Sequence, residues 1–269
     1  MAQLIRKILR AVFNHDPSFC DMHEDAGAHL ASEEYLGHIR RHLAERFSNR
    51  RLSILDAGCQ AGRLLIPLAQ DGHRLIGIDT SQFALRRLRA HLRQLTLTAR
   101  LQCGNIGKIR RWVPPASLDV VVCTEVLYLC RDSEKLLPLL ADSLKPGGLL
   151  CISHRPTLYY VASALQRGQP EVAASLAART EGRSPDGEYH NWQTRAQIEE
   201  LYRSLGLNVL GCYPIRTVNT RLDLSPAVAS GVRQLLKECR ETDSSFRIPT
   251  YLLAIAEKAR LQTSDFSEK

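Results

Sequence analysis

Two acidic residues, each at the end of a short apolar run, are the residues of this chain best suited to chemistry. Asp56 ends the run Ile54-Leu55 and precedes a turn that contains Gly58 and Gly62, and Asp79 ends a second apolar run. An apolar run, a glycine turn, a helix pattern and another apolar run form a βαβ unit, whose ligand crevice lies at the carboxyl ends of the strands. This arrangement predicts a cofactor that contains a nucleoside.

The details of the turn indicate which nucleoside cofactor it is. Gln60 stands where the Gly-x-Gly-x-x-Gly fingerprint of dinucleotide-binding proteins has its second glycine, and no third glycine follows at the right spacing. A carboxylate beneath the turn, Asp56, suits a cationic amino group and opposes a diphosphate. Asp79 is placed to accept hydrogen bonds from ribose hydroxyls. These features favour S-adenosylmethionine over NAD.

The surrounding sequence predicts the elements that position these residues. Strands and helices alternate along the middle of the chain, which is typical of a parallel, doubly wound sheet. The predicted strands are 52–56, 74–79, 99–103, 118–124 and 147–153, and the predicted helices between them are 62–71, 82–95 and 132–144. Further along the chain, the pattern predicts helix 194–205, strand 207–213, helix 225–241 and strand 250–257.

Five segments resemble, in order and spacing, the motifs of class I S-adenosylmethionine-dependent methyltransferases of the small-molecule type. They are Asp-Ala-Gly-Cys-Gln-Ala-Gly at 56–62, Ile-Asp-Thr-Ser at 78–81, Cys-Gly-Asn-Ile at 103–106, Leu-Asp-Val-Val-Val-Cys-Thr-Glu-Val-Leu at 118–127 and Leu-Lys-Pro-Gly-Gly at 144–148. The resemblance is close over residues 50–155 and looser over 30–258. The chain departs from the family at Gln60, where glycine is usual, and at Asn105, where aspartate is common.

The resemblance implies an α/β fold and an enzyme that uses S-adenosyl-L-methionine. The expected sheet is Rossmann-like and doubly wound, with seven strands in the order 3-2-1-4-5-7-6 and an antiparallel seventh strand. N-terminal helices precede it, and a helical lid follows strand five. The expected division is a helical cap at 1–50, a methyltransferase domain at 51–258 with the lid at about 154–192, and a tail at 259–269.

The resemblance also implies which residues bind the cofactor. Asp56 and Gly58 are expected near the methionine moiety and Asp79 at the ribose, while Asn105 and Ile106 are expected at the adenine. The remaining predicted cofactor residues are Gln60, Gly62, Thr80, Thr124, which is expected to face the sulfonium, and Glu125.

Methyl transfer requires alignment, exclusion of water and, for a protonated acceptor, a base. His154 directly follows the fifth predicted strand, and imidazole titrates near neutral pH. We predict His154 as that base; the alternative is a hydrogen-bonded residue that shapes the pocket. Tyr159 and His190, which flank the predicted lid, are further candidates. Glu125 either orders the active-site loop or contacts the acceptor.

The charge distribution leaves two classes of acceptor open. The net charge is +8, and no acidic residue occurs between Asp79 and Asp119, a stretch that contains eight basic ones. The basic segment 86–111 is either a solvated surface, which is favoured, or a contact surface for an acidic partner such as RNA, an anionic lipid surface or a phosphorylated substrate. Strand four ends in Cys-Thr-Glu and lacks the Asn/Asp-Pro-Pro-aromatic signature of base-amine methylation. We therefore predict a small-molecule or lipid-like acceptor, with RNA methylation and non-catalytic cofactor binding as alternatives.

Cellular context is predicted from composition. No apolar run approaches the roughly 20 residues of a membrane helix, and none of the eight cysteines forms a Cys-x-x-Cys pair, so we predict a cytoplasmic protein with reduced thiols. Residues 1–13 form an amphipathic pattern that packs on its own domain or lies on a membrane surface. The first is favoured, and the oligomeric state stays open.

No bound metal is predicted. His38 and His42, with Glu34 one turn earlier, lack the His-Glu-x-x-His pattern. Cys20, His23 and His29 are too loosely spaced for a zinc site.

Overall fold

A computed structural model describes residues 26–48, 50–183, 188–222, 224, 226–237, 239–242 and 244–260. The predicted helix 1–13, with its alternative of membrane contact, lies outside these residues, as do Cys20 and His23. The helices are α1 (Ala26–Phe47), α2 (Leu65–Gln70), α3 (Gln82–Gln94), α4 (Ser133–Asp142), α5 (Thr157–Gln166), α6 (Pro170–Ala177), α7 (Arg195–Ser204) and α8 (Ser230–Lys237). The strands are β1 (Ser53–Ala57), β2 (Arg74–Asp79), β3 (Ala99–Cys103), β4 (Leu118–Cys123), β5 (Leu144–His154), β6 (Glu181–Arg183), β7 (Tyr189–Asn191), β8 (Leu207–Arg221) and β9 (Ser245–Lys258).

Seven strands form one sheet in the order β3-β2-β1-β4-β5-β9-β8. The first five strands are parallel, whereas β9 pairs antiparallel with both β5 and β8. Strands β6 and β7 form a separate two-stranded hairpin. Counted within the large sheet, β8 and β9 are the sixth and seventh strands, so the predicted order 3-2-1-4-5-7-6 with an antiparallel seventh strand is confirmed.

Helices cover both faces of the sheet, as the fully buried strand β4 requires. One face carries α1, α2 and α3, whose buried side chains include Tyr35, Leu65 and Leu88. The other face carries α4, α7 and a 3₁₀ helix at Ile106–Arg111. In this arrangement the carboxyl ends of β1, β2, β4 and β5 meet at one edge of the sheet, which is where ligands bind in this class of fold.

Local signals account for where several helices begin. Helix α3 starts after Ser81, whose hydroxyl accepts a hydrogen bond from the Ala84 N–H. Helix α7 starts at a capping box in which Thr194 and Gln197 satisfy each other's backbone N–H groups. The leucines Leu85, Leu88 and Leu92 of α3 pack into the core, because residues three and four apart share one helix face. Leu95, which the same spacing predicts on this face, is 47% exposed at the end of the helix.

The structure differs from the predicted elements after β5. The ribbon β8–β9 continues well past the predicted strands 207–213 and 250–257, with paired residues from Leu207 opposite Lys258 to Arg221 opposite Ser245. The far end of β8 is largely exposed, so its sequence lacks the apolar run that marks a central strand. Helix α8 is shorter than the predicted 225–241, and the hairpin β6–β7 follows α5 and α6 in the predicted helical insertion.

Within the described residues, no helix combines the length and the apolar character needed to cross a lipid bilayer.

Candidate active site

The turn after β1 is built by two glycines that no other residue replaces without strain. Gly58 has φ +89° and Gly62 has φ +96°, a backbone region that only glycine enters freely. A Cβ at Gly58 would lie 2.2 Å from Val126 Cγ2, and one at Gly62 would lie 2.3 Å from Leu88 Cδ1. The two glycines therefore let the turn pack directly against the Val126 and Leu88 side chains at the strand edge.

Asp79 ties this turn to the end of β2. Its carboxylate accepts hydrogen bonds from the backbone N–H groups of Gln60 at 2.9 Å and Ser81 at 2.7 Å. Gln60 has φ +43°, so the residue that departs from the family pattern still adopts the left-handed conformation of a glycine. The Gly58 N–H in turn donates to the carbonyl oxygen of Ile78 at 2.7 Å.

Asp56 is a buried acid below the turn, with only 4% of its surface exposed. Burial raises its pKa to about 7; the nearby Arg63 guanidinium opposes this shift, and the negative charge of Asp79 adds to it. A cationic ligand group beside Asp56 would favour the ionised carboxylate.

The remaining predicted cofactor residues line the ends of β2, β3 and β4. Thr80 is exposed and Thr124 is buried. Asn105 is exposed, and its side-chain oxygen accepts a hydrogen bond from the Gly107 N–H at 2.7 Å, which starts the 3₁₀ helix. Ile106, the next residue, is buried. The structure thus brings the predicted cofactor residues to one edge of the sheet.

Glu125 connects the turn to a second group of side chains. Its carboxylate pairs with Arg63 Nη2 at 2.8 Å and accepts a hydrogen bond from the Tyr251 hydroxyl at 2.9 Å. Its backbone N–H donates to the Ser153 hydroxyl at 2.6 Å, and its φ is +59°. Of the two predicted roles for Glu125, these contacts support ordering of the loop after β4.

Arg155, the first residue after β5, lies at the centre of an aromatic cluster. Its guanidinium carbon is 4.8, 4.3 and 4.2 Å from the ring centres of Tyr128, Tyr159 and Tyr251. Arg155 Nη1 donates to the carbonyl oxygen of Thr250 at 3.1 Å. We call Arg155 and these three tyrosines the Arg155 cluster; of its members, the sequence predicted only Tyr159 as a site residue.

His190 lies at the border of the Arg155 cluster. Its Nδ1 is 2.5 Å from the Tyr160 hydroxyl, and its ring meets that of Tyr128 edge-on at 5.6 Å. The structure therefore brings the predicted residues Tyr159 and His190 to the same region, through Tyr128 and Tyr160.

His154 points to the face of the sheet that carries α7, and this geometry opposes its predicted role as a base. The side chain is buried, with Nε2 2.9 Å from the Tyr202 hydroxyl and Nδ1 3.3 Å from Gln193 Oε1. Burial lowers the pKa of His154 to about 4, so its imidazole is neutral and engaged at both nitrogens near pH 7. These contacts match the alternative of a hydrogen-bonded structural residue.

The histidines considered for metal binding have other contacts. His38 stacks on the Tyr213 ring at 4.1 Å, and His42 Nε2 lies 2.8 Å from the Tyr213 hydroxyl. Glu34 accepts a hydrogen bond from the Arg216 N–H at 2.8 Å. Among the residues that the structure describes, no group of three potential metal ligands is present.

The basic segment 86–111 is divided between two faces of the molecule. Helix α3, with Arg86 and Arg93 exposed, packs on one face of the sheet, and the 3₁₀ helix with Lys108 and Arg111 packs on the other. Arg110 forms an ion pair with Asp142. The segment therefore flanks the β3 edge, with exposed basic side chains on the elements that pack on both faces of the sheet.

Comparison with known proteins decides the family. A family model described as a methyltransferase domain matches residues 48–205, more than half of the chain. The chain belongs to this methyltransferase family. The predicted resemblance is thereby confirmed, and S-adenosyl-L-methionine is the cofactor of the domain.

Curated relatives of the methyltransferase domain are similar over about half of their length. The ubiquinone biosynthesis O-methyltransferase of Idiomarina loihiensis is 31% identical over 125 residues, which cover 46% of this chain and 50% of that protein. The protein of the same name from Bradyrhizobium diazoefficiens is 30% identical over 136 residues, covering 48% and 53%. The chain thus spans about half the length of the curated relatives it matches.

Solved structures share the fold over nearly the whole chain. Magnesium protoporphyrin IX methyltransferase from Synechocystis PCC 6803, with bound SAH, superposes with a TM-score of 0.57 at 16% identity, covering 96% of this chain and 99% of that one. The 1,6-didemethyltoxoflavin-N1-methyltransferase of Burkholderia thailandensis gives 0.55 at 15% identity, covering 96% and 88%. At these identities the likeness establishes the fold.

Proposed function

We propose that the protein transfers the methyl group of S-adenosylmethionine to a small molecule. The observation that carries this proposal is the bridge made by Glu125, whose carboxylate contacts Arg63 of the glycine turn and Tyr251 of the Arg155 cluster. The backbone of residues 56–62 together with Asp79, which we call the cradle, is suited to the cofactor. The Arg155 cluster is suited to an organic acceptor and adjoins the cradle at one edge of the sheet. The curated relatives are named O-methyltransferases, which supports an oxygen atom as the acceptor.

The residues of the cradle fit the cofactor that the family uses. Asp79 offers a fixed carboxylate to the ribose hydroxyls, and Asp56 offers a buried acid to the cationic amino group. We assign the adenine to Asn105 and Ile106 and the sulfonium region to Thr124. Gly58, Gln60, Gly62, Thr80 and Glu125 complete the proposed cofactor site.

When bound, S-adenosylmethionine supplies a methyl group that its positively charged sulfur activates for displacement. The chain's part is then to align the acceptor and exclude water. The segment 154–192 contributes Arg155, Tyr159, Tyr160 and His190, and we propose that it covers the acceptor as a lid. His190, at the border of the cluster, is the residue we propose to accept a proton from an acceptor that starts protonated.

We also propose a cytoplasmic location. The seven cysteines in the described part of the chain, among them Cys59 and Cys151, are all free thiols. Free thiols persist in the reducing cytoplasm.

Calorimetric titration with S-adenosylhomocysteine tests the cofactor site. We expect wild-type protein to bind with a dissociation constant on the order of 10⁻⁶ to 10⁻⁴ M, the range typical of enzyme ligands. Asp79→Asn should weaken binding at least tenfold, because the ribose loses a charged acceptor. Asp71→Asn, which removes an acid paired with Arg40 at 2.7 Å outside the site, is the matched control.

Equal binding by wild type and Asp79→Asn would contradict the cofactor site. The acceptor class is tested by incubating labelled S-adenosylmethionine and the protein with separate metabolite, lipid and RNA fractions. Label that enters the RNA fraction alone would overturn the small-molecule proposal.

A further inference from the structure

Arg155 is a buried cation, with 8% of its surface exposed. Removing a charge from water costs free energy unless a counter-ion or hydrogen bonds compensate. The three tyrosine rings around the guanidinium compensate in part, since the faces of aromatic rings attract cations.

No carboxylate among the described residues pairs with Arg155. The nearest acid along its hydrogen bonds is Glu125, reached through the Tyr251 hydroxyl, and Glu125 is already paired with Arg63 at 2.8 Å. The positive charge of Arg155 therefore has no direct counter-ion in the described part of the chain.

The hydrogen bonds of Arg155 leave its Nε unpaired, although the hydroxyls of Tyr128 and Tyr160 also lie within hydrogen-bonding reach of the guanidinium. Nη1 is engaged by the Thr250 carbonyl at 3.1 Å, whereas Nε is buried without a partner. Nη2, which lies on the same edge as Nε, has a long contact of 3.4 Å with the Tyr251 hydroxyl. Nε and Nη2 together form the side-on fork with which arginine binds a carboxylate through two parallel hydrogen bonds.

We propose that this fork binds a carboxylate of the methyl acceptor, and that the acceptor is an aromatic acid. The planar carboxylate would supply the missing counter-ion, and the rings of Tyr128, Tyr159 and Tyr251 would flank the aromatic part. This inference rests on the proposed function, because it assigns the acceptor side of the same site.

The test uses the full chain saturated with S-adenosylhomocysteine and benzoate as the probe. Benzamide, a neutral molecule of nearly the same shape, and 4-nitrophenolate, an anion with a single charged oxygen, are the comparison ligands. Binding is followed by the NMR signals of isotope-labelled arginine Nε–H groups. We expect benzoate to shift the Arg155 signal and benzamide to leave it in place.

Arg155→Met separates recognition from structure. Benzoate affinity should fall by at least a factor of about ten to a hundred, because both charge-assisted hydrogen bonds of the fork are lost. The melting temperature of the unliganded protein should be unchanged or higher, because an unpaired buried charge has been replaced by an apolar chain. Arg155→Lys, a second variant that keeps the charge without the fork, should also lose benzoate affinity.

Arg41→Met is the matched control, since Arg41 also stacks on a tyrosine, Tyr213 at 5.1 Å, but is exposed on α1. It should bind benzoate like wild type. Equal benzoate affinity in Arg155→Met and wild type would overturn the proposal, as would equal binding of benzoate and benzamide. Stronger binding of 4-nitrophenolate than of benzoate would also overturn it, because the fork would then prefer a phenolate to a carboxylate.

Loss of S-adenosylhomocysteine binding in Arg155→Met would identify the cofactor's own carboxylate as the partner of Arg155 and would also overturn the proposal. The proposed function fails differently: the cofactor would bind, benzoate would shift the Arg155 signal, and no fraction would accept a methyl group.

Discussion

The glycine turn after β1 and the Arg155 cluster lie at the same edge of the sheet, but they are assembled from different kinds of contact. In the turn, backbone N–H groups bind backbone carbonyls and one carboxylate, and the partners Gln60 and Asp79 are 19 residues apart. In the Arg155 cluster, side chains pack on side chains, apart from the hydrogen bond of Arg155 to the Thr250 carbonyl, and Tyr251 binds a carboxylate, Glu125, that is 126 residues away. The proposed cofactor half of the site is thus set locally, whereas the proposed acceptor half exists only once β5 and β9 are paired.

This difference determines which substitutions each half can tolerate. The cradle binds through backbone groups, so it depends on the backbone dihedral angles. Substitutions that keep these angles should be tolerated, whereas those that change φ should not. A side-chain cluster depends on atoms at fixed places, so single substitutions alter its chemistry without disturbing the sheet. Substitutions in each half therefore have distinct expected effects.

The largest expected effect comes from adding a side chain at Gly58 of the cradle. Gly58→Ala places a Cβ 2.2 Å from Val126 Cγ2 at a φ of +89°, so it combines a clash with a strained backbone. We expect a loss of about 3–5 kcal/mol in the free energy of unfolding, measured with urea, together with loss of S-adenosylhomocysteine binding.

Gly72→Ala is the matched control for this substitution. Gly72 has the same φ of +89°, but its Cβ would meet nothing within 4 Å. It should cost only the backbone strain, about 1–3 kcal/mol. Equal losses in the two variants would show that crowding against Val126 has no part in shaping the turn.

A smaller effect is expected from acidification, and it tests the structural role of His154. Its pKa is about 4 in the folded protein, because of burial, and about 6.5 when unfolded. The unfolded state therefore binds the proton more readily, so stability falls as the pH drops below 6.5 towards 4. This group alone should remove about 2 kcal/mol between pH 7.5 and pH 5.

Urea unfolding at the two pH values measures the effect, and His154→Gln should reduce the difference between them. His29→Gln, at an exposed histidine on α1, should retain the wild-type difference. A base in an open pocket would behave otherwise: His154→Gln would keep the wild-type pH dependence of stability and lose methyl transfer.

The contrast between the halves also explains what the sequence could predict. The sheet order and the turn were accessible because their signals, such as Gly58, Gln60 and Asp79, lie within short stretches whose order matches a known family. The far end of β8 could not be predicted from the sequence, because residues such as Thr217 and Asn219 carry no apolar pattern.

The Arg155 cluster could not be predicted from the sequence, for a different reason. Nothing in the local sequence marks Arg155 as a buried cation, since burial is decided by Tyr128 and Tyr251, which come from other strands and loops. The neighbouring His154 was predicted as the base because it follows β5. Successive strand residues alternate between faces, and the structure places His154 against Tyr202 on the opposite face.

The smallest expected effect concerns Gln60, the residue at which the cradle departs from its relatives. Gln60 contributes its backbone N–H to Asp79 and holds a φ of +43°, so its conformation carries the contact. Gln60→Gly removes a left-handed strain of about 1–2 kcal/mol and adds about 0.5–1 kcal/mol of unfolded-state entropy. Urea unfolding should therefore show a net gain of no more than about 1.5 kcal/mol. Gln60→Ala, which keeps the Cβ and the strain, should show no gain. Both variants should bind S-adenosylhomocysteine within about threefold of wild type, because the N–H remains; a tenfold loss in both would show that the Gln60 side chain itself contacts the cofactor.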